Sequence, residues 1–264
     1  MIRRPPRSTL DRSSAASDVY KRQVLLTSFN SKKQEAVVCG KVDILIDHDK
    51  DIFFLDASDI KSLLINSFGD SVKGDRIKNI AVGRIEKVIE ENDFVQDAES
   101  WLDANGELHI NIVQKQPLAR VINSSGVNYY ITEKGNKMPI STKFTSRVPV
   151  VTGNIKEGTY NSNMIETQVL KNVLELSRFI HANTFWNAQI EQIFVADNGE
   201  FILIPKLGDH KIEFGGINEM QEKFNKLEIF YKEGLNYMGW EKYETIKLDY
   251  KLSLIHISEP TRPY

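Results

Sequence analysis

The chain has 264 residues, 41% of them hydrophobic and 27% charged, a composition that excludes wholesale disorder, collagen and a polytopic membrane protein. Lys plus Arg number 34 against 36 Asp plus Glu, so the formal charge of −2 provides no bulk basicity to hold nucleic acid. The single cysteine, Cys39, can form neither an intrachain disulfide nor a Cys-based zinc site, and leaves the redox compartment open.

Residues 1–23 carry six basic and two acidic residues, a Pro pair and no apolar period. They resemble a translated sequencing adapter, as does LSLIHISEPTRPY at 252–264, and both are expected to be non-native and to pack against nothing. The rival reading of 1–23 is an Arg- and Ser-rich transit or signal peptide, against which Val24 to Phe29 is too short an apolar stretch. Without the two ends the basic and acidic counts are 27 and 33, an acidic balance of −6. Residues 24–40 read as the end of a truncated membrane anchor with its juxtamembrane linker, or as an ordinary short strand or helix end; a span needs about 20 apolar residues, which Val24 to Phe29 does not supply.

From Lys41 to Lys115, the pattern predicts strand, helix, helix, strand, strand. Val42, Ile44 and Ile46 alternate with Asp43, Leu45 and Asp47. Asp56 or Ser58 can cap a helix carrying Ile60, Leu63, Leu64 and Phe68, with Gly69 as its stop. Val82, Ile85, Val88 and Ile89 fall at helical spacing, and two strands, 95–102 and 108–113, flank the turn Asp103-Ala104-Asn105-Gly106. The expected core includes Ile44, Ile60, Leu64, Ile85, Val88, Ile89, Phe94, Leu108, Ile110 and Ile112.

From residue 116 to 251, short strands predominate. Strands at 127–132 and 137–140 flank Glu133-Lys134-Gly135-Asn136, and strands at 190–196 and 201–205 flank Asp197-Asn198-Gly199. A helix is predicted over 164–182 from the stripe Ile165, Val169, Val173, Leu176 and Ile180, and another over 217–233 with Met220, Phe224 and Leu227 inward. Strands at 211–214 and 245–250 complete the set. The fold class is therefore α+β, a βααββ domain at 41–115 followed by a mixed-sheet β domain with two or more helices at 116–251.

Several segments together resemble the bacterial cell-division family FtsQ, called DivIB in Gram-positive bacteria. They are Ile85-Glu86, Asn92-Asp93-Phe94-Val95-Gln96-Asp97-Ala98, Gly106-Glu107-Leu108-His109-Ile110 and Gln116-Pro117-Leu118-Ala119-Arg120, then Tyr129-Tyr130-Ile131-Thr132-Glu133-Lys134-Gly135 and Val148-Pro149-Val150-Val151-Thr152-Gly153. The resemblance implies a POTRA domain, a distal β domain and a single-pass inner-membrane protein with its folded domains in the periplasm. It implies a non-enzymatic divisome scaffold that binds partners of the FtsB and FtsL type, with the membrane reached through a helix missing from this sequence.

The search for chemistry is consistent with a binding protein. Asp47, Asp49 and Asp51 mimic a calcium loop, but Ile52 and Ser58 stand where Gly and a bidentate Glu are needed. Gly69 to Gly74 approaches a phosphate loop, yet Asp75 replaces its Lys. His48, His109, His181 and His210 show no ligand spacing, and no G-x-S-x-G elbow or C-x-x-C exists. No catalytic, metal or cofactor residues are assigned, and neither nucleic acid nor a small-molecule substrate is expected. Asn123-Ser124-Ser125 reads as a polar turn, and Trp101, Trp186 and Trp240 as packing residues.

The interaction site is expected at the last strand. Ile246, Leu248 and Tyr250 share one face, and Thr245, Lys247 and Asp249 the other. In the FtsQ family the corresponding strand, of pattern Asp-Leu-Arg-Tyr, lies at a sheet edge and pairs with a strand of FtsB; Lys247, Leu248, Asp249 and Tyr250 match it here, with Asp249 where the family has Arg. Partner contacts are assigned to Tyr250, Leu248, Ile246, Lys247, Asp249, Tyr243 and Trp240. Two other classes stay open: a POTRA-bearing outer-membrane translocation or assembly protein, which needs a downstream barrel, and a periplasmic hydrolase, which needs converging titratable groups in a pocket.

Overall fold

A computed structural model describes residues 38–47, 52–69, 72–76, 79–103, 105–159, 162–234 and 243–248, and the backbone of 256–258. The segment 1–23 lies outside the described residues, as do 24–37. The described residues fall into two compact units, one within 1–48 and 55–114, the other within 49–54 and 115–264.

In the first unit, β1 (Lys41–Asp47), α1 (Ala57–Phe68), α2 (Val82–Glu90), β2 (Val95–Leu102) and β3 (Glu107–Gln114) follow the order read from the sequence. The sheet order is β1-β3-β2, with β1 parallel and β2 antiparallel to the central strand. Asp56 is the N-cap of α1: its carboxylate accepts from the Ser58 and Asp59 N–H groups while the Asp59 side chain accepts from the Asp56 N–H, a reciprocal capping box. The β2–β3 turn is held by Asp103, whose Oδ1 accepts from the N–H groups of Asn105 and Glu107. Gly106, at φ 87°, supplies the left-handed residue this turn requires.

Seven of the ten expected core residues are buried: Ile60, Leu64, Ile85, Ile89, Leu108, Ile110 and Ile112. Ile44 and Phe94 are partly buried against them, whereas Val88 sits at the helix flank, because Ile85 and Ile89 one turn apart define the inward stripe. Gln114, also buried, donates from Nε2 to the Asp47 carbonyl and accepts the Leu55 N–H at Oε1, so both its polar ends are satisfied.

The second unit contains β4 (Pro117–Ile122), β5 (Asn128–Thr132), β6 (Lys137–Pro139), β7 (Val150–Gly153), α3 (Gln168–Ala182), α4 (Thr184–Gln189), β8 (Ile190–Val195), β9 (Phe201–Pro205), β10 (Lys211–Gly215), α5 (Met220–Ile229), β11 (Thr245–Lys247) and β12 (His256–Ser258). Its strands make one nine-stranded mixed sheet, ordered β12-β11-β10-β9-β8-β7-β4-β5-β6. The fold is α+β, with POTRA-type strand order in the first unit.

Leu170, Val173, Leu176 and Ile180 of α3 are buried with Val121, Val151, Ile193, Leu203 and Phe214 of the sheet in one apolar cluster. Trp186, one of the tryptophans expected to pack, lies 5.2 Å from the Phe224 ring, centroid to centroid. Gly153 pairs with Val195, and a Cβ there would stand 2.1 Å from the Val195 carbonyl oxygen, so only glycine admits the β7–β8 approach.

Two expectations are corrected. Residues 164–167 are not helical: Met164 bridges Asn136, Thr167 caps α3, and the helix starts at Gln168. This connection is pinned by Glu157, whose carboxylate meets the Lys137 ammonium at 2.9 Å and accepts from the N–H groups of Glu166 and Thr167. Nor do residues 252–264 pack against nothing: His256–Ser258 pairs antiparallel with Thr245–Lys247. The physical reason is that a strand edge with unpaired N–H and C=O groups takes up an extended segment within reach, whatever its origin.

Candidate partner-binding edge

The edge is built from β10 outward. β11 runs parallel to β10 with Thr245, Ile246 and Lys247 opposite Lys211, Ile212 and Glu213. The Lys211 N–H donates to the Glu244 carbonyl at 2.9 Å, and the Leu248 N–H donates to the Glu213 carbonyl at 3.1 Å. Because N–H groups alternate in direction along a strand, the Lys247 N–H points the other way, toward the outer edge where β12 lies. Across the outer face the Lys247 ammonium meets the Glu213 carboxylate at 2.9 Å; both are more than a third exposed, so this pair orients side chains and adds little stability.

Beneath the edge, Ile246, Leu248 and Tyr243 are buried. Tyr243 meets Phe230 edge to face at 5.4 Å, in a π-helical turn, Phe230–Gly234, that extends α5. In the next turn position, Tyr231 places its hydroxyl 2.6 Å from Nε2 of His210, the residue that leads into β10. Burial pushes the His210 pKa below its ordinary value against the opposing Asp209 carboxylate, and burial raises the Tyr231 phenol. Both are neutral near pH 7, so the pair is a fixed hydrogen bond that anchors the start of β10.

Of the seven sequence-assigned contact residues, Ile246, Leu248 and Tyr243 direct their side chains into the core and leave the backbone as the outward feature. Lys247 is partly exposed on the outer face. Trp240, Asp249 and Tyr250 lie outside the described residues.

A family profile described as FtsQ/DivIB, C-terminal related, matches residues 116–255, the region that contains the whole edge from β10 to Tyr250. The chain belongs to this FtsQ/DivIB family. A POTRA-like domain profile matches residues 37–113, the βααββ unit. A comparison with curated proteins gave no match. For FtsQ/DivIB-related domains the coarse reading is a cell-division scaffold with divisome protein partners, in a membrane-associated and typically non-enzymatic family. Among the described residues no helix is long and apolar enough to cross a membrane.

Sequence reasoning missed one cluster in the FtsQ/DivIB chain. Asp103, Glu107 and His109 bring one ligand-type atom each within 4.8 Å of one another at the β2–β3 turn. Trp101, expected to be a packing residue, is instead 49% exposed and stacks on the His109 ring. The sequence carries the signal: Glu107 and His109, two apart on one strand, share a face, and the Asp103–Gly106 turn sets Asp103 beside them. A lone histidine with two carboxylates on a strand and its turn has neither the helical nor the paired-histidine spacing of a recognisable motif.

Proposed function

We propose that this chain is a non-enzymatic divisome scaffold that binds FtsB- and FtsL-type partners by strand addition at β11, with its folded units in the periplasm and a single-pass anchor in the inner membrane. The observation that carries the reading is the outer edge of β11, which already accepts an antiparallel strand, His256–Ser258, through Thr245, Ile246 and Lys247. Strand addition draws its affinity from main-chain hydrogen bonds and its selectivity from alternate side chains. Burial of Ile246 and Leu248 suits that division, since it fixes the strand in the sheet while its outward N–H and C=O groups are the ones that take an added strand, here His256–Ser258.

Selectivity is assigned to Tyr250 as the aromatic anchor, with Asp249 and Lys247 beside it. The test is the affinity of a FtsB-type partner segment for the folded variant Tyr250→Ala. A loss of about 30-fold or more is expected, corresponding to an anchor of about 2 kcal/mol. Unchanged affinity in Tyr250→Ala and in Asp249→Pro, both folded, would rule the edge-strand mechanism out.

A further inference from the structure

The other unit carries a separate feature, at the β2–β3 turn of its sheet. His109 of β3 lies between two carboxylates contributed by other parts of the chain: its Nδ1 is 3.6 Å from Asp43 Oδ2 on β1, and its Nε2 is 3.8 Å from Asp103 Oδ2 in the turn. Asp43, His109 and Trp101 are register partners in one row across the three strands. Trp101 stacks on the imidazole at 5.4 Å with the rings 17° from parallel, so the histidine is oriented from its face as well as its edge. Glu107, two residues before His109 on the same strand face, brings a second carboxylate into the cluster, with one ligand atom each of Asp103, Glu107 and His109 within 4.8 Å of one another.

We infer that Asp103, Glu107 and His109 form a binding site for a divalent first-row transition cation of the Zn²⁺ class. Histidine ligands in metal sites characteristically hand their second ring nitrogen to a carboxylate, which fixes the tautomer and raises ligand basicity. Asp43 stands in that position, leaving the Nε2 lone pair for the ion. One imidazole nitrogen with two carboxylate oxygens favours Zn²⁺ or its neighbours over Mg²⁺ and Ca²⁺, which prefer all-oxygen shells. Zn–N and Zn–O bonds of about 2.0 to 2.2 Å set ligand atoms roughly 3 to 3.5 Å apart, so side-chain rotation of these partly exposed groups closes the site. Asp103 keeps its turn-forming role throughout, because Oδ1 takes the backbone N–H groups while Oδ2 faces the histidine. Water completes the shell on the solvent side.

The site is independent of the β11 edge, and its test uses the full chain without a partner. Calorimetric titration with ZnCl₂ at pH 7.5 in excess Mg²⁺ is expected to give one saturable site assigned to this cluster, weakened at least about tenfold in His109→Gln and in Asp103→Asn, with Asp43→Asn losing about 10- to 100-fold through the histidine it orients. Cu²⁺ should quench Trp101 fluorescence saturably, and Trp101→Phe should remove that quenching. Saturable Zn²⁺ binding unaffected by both His109→Gln and Asp103→Asn, or no saturable binding at all, would overturn the assignment.

Discussion

Glu157 ties three segments of the second unit through its charge, meeting Lys137 of β6 and the N–H groups of Glu166 and Thr167 before α3. Burial alone would raise its carboxyl, but the Lys137 ammonium, the Thr167 hydroxyl and the N–H groups of Thr167 and Glu166 outweigh that and hold its pKa at about 2, against 4.5 for the free group. A carboxyl with a depressed folded pKa stabilises the fold above its unfolded value and loses that contribution as pH falls toward the folded one. The expected contribution is on the order of 3 kcal/mol, present above about pH 5 and lost between pH 4.5 and 2. Thermal unfolding of Glu157→Gln should accordingly start lower at pH 7 and decline less steeply than the parent across that window; parallel curves would contradict it. His210, depressed by burial, acts in the same direction at higher pH, contributing stability that is lost as pH falls below its unfolded value of about 6.5. In the first unit, Ile89 is fully buried, and Ile89→Ala should cost roughly 2 to 5 kcal/mol in chemical denaturation, the range for deleting a core side chain that leaves a cavity.

At the scale of elements, local chemistry proved legible and distant pairing did not. The Asp103–Gly106 and Asp197–Gly199 turns, the Asp56 cap and the α3 stripe are written in residues two to four apart, and each element they predict is present. β4 escaped as a strand because its apolar pairs Leu118-Ala119 and Val121-Ile122 show no period of two, and β7 because it has only four residues and pairs, parallel, with β4 and β8 from other parts of the chain. The start of α3 was read too early for a related reason: Met164 and Ile165 fit its apolar period, but the Asn136 bridge and the Glu157 carboxylate hold that stretch extended. The candidate edge was half legible, since alternation over 245–250 reveals a strand but not which neighbour it takes or that its apolar side chains face the core. Gly153 supplies a test of the parallel arrangement. Gly153→Ala drives a Cβ into the Val195 backbone, and because backbone cannot swing aside, a loss of about 1 to 3 kcal/mol or more in unfolding free energy is expected; wild-type stability would show that β7 and β8 are not in this register.

For the whole molecule, a POTRA-like unit is followed by an FtsQ/DivIB-type sheet in which β11, covered on its outer side by β12 alone, lies at one margin, and that margin is the centre of the functional reading. The adapter-like tail makes the claim testable within this one chain, because His256–Ser258 occupies the positions that a partner strand would take. A chain ending at Lys251 therefore offers the edge without a competitor. Lys247→Pro within it deletes an outward N–H while sparing the inward bond from Leu248 to Glu213, a substitution that an edge strand tolerates. The decisive measurement is the affinity of one FtsB-type partner segment for the full chain, the chain ending at Lys251, and that shorter chain carrying Lys247→Pro. Tighter binding on truncation, abolished by the proline while the fold persists, is the result predicted; equal affinity in all three would contradict strand addition at β11.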